Sequence, residues 1–207
     1  MAPGAKDHWD DVYRRKGAEG VSWFQPQLKL SLRLIDGIGL PASAAIIDVG
    51  GGASTLVDDL VGRGFRDVSV LDLSRQALEL TRRRLGERGA GVTLIEADVV
   101  AAELSESRYD LWHDRAVFHF LTDELARRRY VAAAARSLKP GGHILVATFG
   151  PAGPAQCSGL DVVRYDPDSL HHELGRQFQP VSHFEESHST PGGATQAFVY
   201  CLFRRVS

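Results

Sequence analysis

A strand that runs into three consecutive glycines and then a helix constrains this chain more than any other feature. Ala44 to Val49 is a short apolar run with β-branched residues, the pattern of a strand covered on both faces. Gly50, Gly51 and Gly52 permit positive φ and carry no Cβ, so a ligand can approach the backbone closely. Ser54 can cap the helix that begins Thr55-Leu56-Val57, and free N–H groups at that helix start favour a polar or anionic ligand group. A second strand, Val68 to Asp72, ends in a carboxylate about twenty residues after the first glycine, where an acid accepts hydrogen bonds from ribose hydroxyls. The pair indicates a nucleoside site. A dinucleotide fingerprint requires glycine at its sixth position, and Thr55 stands there, which argues against NAD.

The rest of the chain alternates strand and helix. Residues 5–17 form a first helix with Trp9, Val12 and Tyr13 on one side, and a second runs from about Gln27 to Asp36 with Leu28, Leu32 and Ile35 inward. Strands are expected at 44–49, 67–72, Val92 to Ala97, Tyr109 to His113 and His143 to Phe149. Helices are expected at 54–63, at 74–88 behind Ser74, and at 122–138 behind Thr122. This alternation indicates a parallel sheet with right-handed crossovers. Residues 150–165 break the pattern with a long loop rich in glycine and proline, and loops of that length are often functional lids. Asp166-Pro167 opens a further helix as cap and first residue. Residues 181–189 and 196–205, parted by Pro191-Gly192-Gly193, read as a β-hairpin.

Length and composition narrow the class. The 207 residues, taken as one domain, suffice for a sizeable core, and the 43% apolar and 24% charged fractions fit a globular chain. A net charge of −2 gives no reason to expect nucleic acid. The clusters Arg82-Arg83-Arg84 and Arg127-Arg128-Arg129 read as solvated helix faces. No run approaches the ~18 apolar residues of a membrane span, and the N-terminus lacks the apolar core of a secretion signal, so no membrane partner and a cytoplasmic location are expected. Cys157 and Cys201 have no metal-type spacing and read as reduced thiols.

Chemistry concentrates in Trp112 to Phe120, at the end of the fourth strand. Asp114 or His119 can take a proton from a reacting group. His119 is the better base, because an imidazole titrates near neutrality. Arg115 can stabilise an anion or orient a carboxylate. A metal site from His113, Asp114 and His119 is disfavoured, because neighbouring strand residues point to opposite faces. His183 and His188 read as surface residues of the hairpin, His171 and His172 as exposed helix, and Cys157 as a loop residue without a role.

Four segments, taken together, resemble the class I S-adenosylmethionine-dependent methyltransferases. Asp48-Val49-Gly50-Gly51-Gly52-Ala53-Ser54 is similar to that family's first motif, Asp72 to its ribose-binding acid, Glu96-Ala97-Asp98 to its adenine-binding motif, and Leu138 to His143 to the turn before its fifth strand. The resemblance implies an α/β, Rossmann-like, doubly wound sheet of seven mostly parallel strands, with an antiparallel C-terminal hairpin strand and helices on both faces. It implies residues 43–207 as core and residues 1–42 as a helical lid segment. It implies S-adenosyl-L-methionine as cofactor and S-adenosyl-L-homocysteine as product, with no metal. Asp48, Gly50, Gly51, Gly52, Ser54 and Asp72 would hold the cofactor together with Leu73, Ala97, Asp98, Val99 and Asp114, and Tyr13 and Trp23 would close over it. His119, Asp114 and Arg115 would serve transfer. The implied reaction moves a methyl group to a small-molecule nucleophile: a thiol, hydroxyl, amine or metalloid. Protein-lysine methylation is the alternative within the enzyme class, and a non-catalytic nucleoside-binding module lies outside it. An NAD-dependent oxidoreductase is disfavoured by Thr55 and by the lack of a Tyr-x-x-x-Lys pair.

Overall fold

The apolar runs become strands in the expected order. The protein is described by a computed structural model covering residues 4–206; Met1 to Pro3 and Ser207 lie outside it. The first five strands are β1 (Ala45–Val49), β2 (Asp67–Asp72), β3 (Val92–Glu96), β4 (Tyr109–Arg115) and β5 (Leu138–Phe149). Two short strands, β6 (Gln156–Cys157) and β7 (Leu160–Asp161), precede β8 (Phe178–Ser189) and β9 (Thr195–Arg205). Seven of them form one sheet in the order β3-β2-β1-β4-β5-β9-β8. All pairings from β3 to β5 are parallel, while β9 runs antiparallel to both β5 and β8. Between β1 and β4 the strand order reverses, and this is where open α/β sheets leave a crevice at their carboxyl ends.

The helices are α1 (Ala5–Lys16), α2 (Lys29–Ile38), α3 (Leu56–Gly62), α4 (Arg75–Leu85), α5 (Glu124–Ser137) and α6 (Pro167–Leu174). Two-residue alternation in the strands sorts the core into two layers. Ile46, Val68, Val70 and Leu145 pack with Leu32, Leu56 and Leu78 on one face. Ile47, Trp112, Ile144 and Val146 pack with Tyr130, Ala134 and Leu170 on the other. Helices therefore cover both faces, as the doubly wound pattern requires.

Several boundaries differ from the sequence reading. Asp123, rather than Thr122, caps α5, accepting the Ala126 N–H at 2.8 Å. Ser54 stands before Thr55, the cap of a shorter α3, and accepts the Leu56 N–H at 3.2 Å. The turn at 138–142 is absorbed into β5, which begins five residues earlier than expected. Ser74 and Asp166 cap as read, Asp166 in a full capping box with Ser169. The loop after β5 is not structureless: β6 and β7 pair within it as a small antiparallel ribbon.

Candidate active site

The glycine turn lies at the carboxyl end of β1, and each glycine answers to a neighbour. Gly50 sits at φ +65°, and a Cβ there would fall 1.9 Å from Val117 Cγ2. At Gly51 a Cβ would fall 2.4 Å from Asp48 Oδ2, and at Gly52 it would fall 2.5 Å from Asp72 Oδ2. The turn thus leaves room for two carboxylates to lie against the backbone. Asp72 is buried, with Oδ1 accepting the Ser74 N–H at 2.7 Å. Burial, and next the nearby Asp48 and Asp10 charges, push its carboxyl up to about 7 against its backbone hydrogen bonds. Asp48 accepts from His113 Nδ1 at 2.7 Å through Oδ1, while its buried Oδ2 has no hydrogen-bond partner among the described residues.

A cleft of about 570 Å³ opens beside this turn, lined by Gly50, Asp72, Leu73, Ala97, Val99 and Arg115 together with the aromatics Trp9, Tyr13, Trp23 and Phe120. Ser54, Asp48 and Gly51 line an adjoining cavity of about 450 Å³ that shares Gly50, Tyr13, Trp23 and Arg115 with the first. Asp98 lines neither; its Oδ1 accepts the Val100 N–H at 3.1 Å. The aromatics meet edge to face, Trp9 with Trp23 at 5.6 Å and with Phe120 at 5.1 Å. Trp9 both packs and lines the cleft. Tyr13 is buried, which holds its hydroxyl far above its usual range and therefore protonated.

Arg115 stands where the two cavities meet. Its Nε donates to Tyr200 Oη and its Nη1 to the Trp23 carbonyl, both at 2.8 Å, and its guanidinium lies 4.5 Å over the Phe198 ring. Tyr200 donates in turn to Glu186 at 2.8 Å, Gln25 Nε2 donates to Glu186 at 3.1 Å, and Gln25 also meets His188 Nδ1 at 3.1 Å. His188 Nε2 closes the chain on the Ser22 carbonyl at 2.8 Å. His188 is therefore buried rather than a surface residue, and it fastens residues 22–25 to β8. Cys157 is also buried, 4.0 Å from Ser22 Oγ.

Asp114 and His119 do not line either cavity. The Asp114 carboxylate accepts the Val117 N–H at 3.0 Å, the Phe118 N–H at 3.2 Å and the Tyr130 hydroxyl at 2.6 Å. It holds the turn after β4, facing α5 rather than the glycine turn. His119 is fully buried, its Nδ1 accepts the Phe149 N–H at 3.2 Å, and burial followed by the Arg115 charge lowers it to about 3. A neutral imidazole whose lone pair is already used is not the base the sequence suggested. His119→Asn keeps an acceptor for that N–H and should leave turnover within about threefold, whereas a base's removal costs roughly 10²–10⁴-fold. Asp114→Asn should instead destabilise by about 1–3 kcal/mol, read as a lower melting temperature.

Sequence reasoning missed how the far side of the turn is held. Thr81 donates to the Gly52 carbonyl at 2.6 Å, and Arg84 donates to the carbonyls of Ala53 at 2.8 Å and Ser54 at 2.6 Å while pairing with Asp58. Arg127, in the second cluster, binds the Leu121 and Thr122 carbonyls at 3.0 Å. Neither arginine belongs to a purely solvated face. The signal available was the helical step from Ala77 to Thr81 and Arg84, which sets the last two beside the turn.

Fold and cleft together define the class: a Rossmann-like domain built to take a nucleoside at the carboxyl ends of its central strands. A methyltransferase-domain family model matches residues 46–142. The EEF1A lysine methyltransferase 2 of Danio rerio is 25% identical over 159 residues, 70% of this chain and 68% of that protein. A ubiquinone biosynthesis O-methyltransferase of Vibrio cholerae is 30% identical over 105 residues, half of this chain and 41% of that one. The N-methyltransferase NodS of Bradyrhizobium japonicum, solved with S-adenosyl-L-homocysteine, superposes with a TM-score of 0.71 at 16% identity, covering 97% of this chain and 100% of that chain. The family model and these relatives support a class I, Rossmann-like S-adenosylmethionine-dependent methyltransferase, with the match resting on residues 46–142. Among the described residues no helix is long and apolar enough to cross a membrane.

Proposed function

We propose that this methyltransferase acts on a small-molecule nucleophile bound at the aromatic end of the cleft. The observation that carries the reading is the roof: residues 22–25 are tied to Arg115, Glu186 and His188, so that Trp23 is held beside Trp9, Tyr13 and Phe120 as an aromatic wall of the cleft.

The residues fit the cofactor. In this reading Asp72 would accept ribose hydroxyls, Leu73, Ala97 and Val99, which line the cleft with it, would flank the base, and Asp48 Oδ2 would accept from an ammonium. S-adenosylmethionine supplies, when bound, an electrophilic methyl on a sulfonium. The chain's task is then to hold an acceptor in line and keep water out, which is worth ~7–11 kcal/mol when geometry is right. Arg115 fixes the Trp23 carbonyl and so the wall against which an acceptor lies. Asp48 and Asp72 face the glycine turn, and the acceptor end presents Arg115 and aromatics. An acceptor that ionises without help, such as an aromatic thiol, suits that lining.

A second reading, methyl transfer to a protein lysine, is favoured by the 25% identity to EEF1A lysine methyltransferase 2. The test is product formation from S-adenosylmethionine with a panel of aromatic thiols, phenols and amines, set beside purified eEF1A. Turnover of the thiols, falling about 100-fold in Arg115→Gln as in-line positioning is lost, supports the small-molecule reading. Methylation of eEF1A with no small molecule turned over would overturn it.

A further inference from the structure

We infer that Ser31 and His113 are positioning residues that set Asp48 to receive the ammonium end of the cofactor. The inference rests on the methyltransferase reading and concerns two residues that reading does not use.

Asp48 and His113 are register partners on the adjacent parallel strands β1 and β4, so their side chains share one face. His113 Nδ1 lies 2.7 Å from Asp48 Oδ1, and its Nε2 lies 2.9 Å from Ser31 Oγ on α2. The three side chains belong to residues 2%, 1% and 0% exposed. A carboxylate can only accept, so Nδ1 donates; a hydroxyl serves Nε2 as donor or acceptor. With both nitrogens engaged, the ring cannot turn without breaking a bond on one side or the other. Asp48 is thereby held with one oxygen committed and the other free.

The free oxygen is the informative atom. Oδ2 is buried without a partner among the described residues, and it lies 2.4 Å from where a Cβ at position 51 would stand. A buried carboxylate oxygen left without a donor is costly, so a site that maintains one is set for a ligand that brings a donor, most favourably a cation. Asp48 and His113 both line the cavity that joins the nucleoside cleft through Gly50, Tyr13 and Arg115. A ligand extending from the cleft into that cavity places its non-nucleoside end there, and an α-ammonium fits.

Two probes separate this from a general loss of structure. S-adenosyl-L-homocysteine carries the amino-acid end, and 5′-methylthioadenosine has the same nucleoside without it. Calorimetric titration of both into wild type, Ser31→Ala, His113→Asn and His113→Leu reads the difference. Ser31→Ala should weaken S-adenosyl-L-homocysteine about tenfold and His113→Leu about 100-fold, as expected for lost hydrogen bonds to a charged group. His113→Asn, which keeps a donor for Asp48, should fall between wild type and leucine. Affinity for 5′-methylthioadenosine should stay within about twofold throughout, because its contacts lie elsewhere. Equal losses for both probes, or no loss for S-adenosyl-L-homocysteine in Ser31→Ala, would overturn the inference. Should His113→Leu not fold, the serine variant still decides it. Wild-type protein that binds neither probe would instead sink the cofactor assignment on which the inference stands.

Discussion

Gly50→Ala is expected to abolish cofactor binding, weakening S-adenosyl-L-homocysteine by at least ~100-fold. Two costs combine. At φ +65° any residue with a Cβ is strained by about 1–2 kcal/mol. The new methyl would also stand 1.9 Å from Val117 Cγ2, far inside contact distance. Val117 cannot yield easily, because it is β-branched and its N–H is held by Asp114. The backbone must shift instead, and Gly50 and Val117 both line the cleft. The double variant Gly50→Ala, Val117→Ala removes the collision but not the strain, and should recover part of the affinity. Wild-type binding by the single variant would mean that the turn does not hold the cofactor.

Asp72→Asn should cost a similar factor by a different route. Hydrogen bonds from ribose hydroxyls to a charged acceptor are worth about 1.5–3 kcal/mol each, so losing the charge should weaken S-adenosyl-L-homocysteine ~100-fold or more. The carboxyl's position at about 7 adds a pH signature. Binding favours the ionised form, so below that value a proton must leave as the ligand enters. Affinity should therefore rise from pH 6 to pH 8 in wild type, and the rise should flatten in Asp72→Asn. A wild-type slope that persists unchanged in the variant would assign the proton to another group.

What the sequence made legible follows from what is local. Gly50 to Gly52, the acid at Asp72, and the caps Ser74 and Asp166 each announce themselves within a few residues, and the structure bears out the sheet that they frame. The end of β4 was misread for a physical reason. Ala116 adopts φ +69°, a left-handed turn that strand periodicity does not anticipate, and residues 118–120 then form a 3₁₀ turn. His119 is swung under the Phe149 N–H, and Asp114 is recruited to hold the turn. The link from Gln25 through Glu186 to Tyr200 and Arg115 includes steps of 161 and 85 residues along the chain, and no local pattern encodes it. His188 looked like hairpin surface because its burial comes from residues 22–25, which cover it.

The most direct test is calorimetric titration of S-adenosyl-L-homocysteine into the folded wild-type protein, with NAD as control. The cleft described here predicts micromolar binding at one site per chain and no heat from NAD. No binding of S-adenosyl-L-homocysteine, or equal binding of NAD, would contradict it and leave the glycine turn and its two buried carboxylates as scaffold.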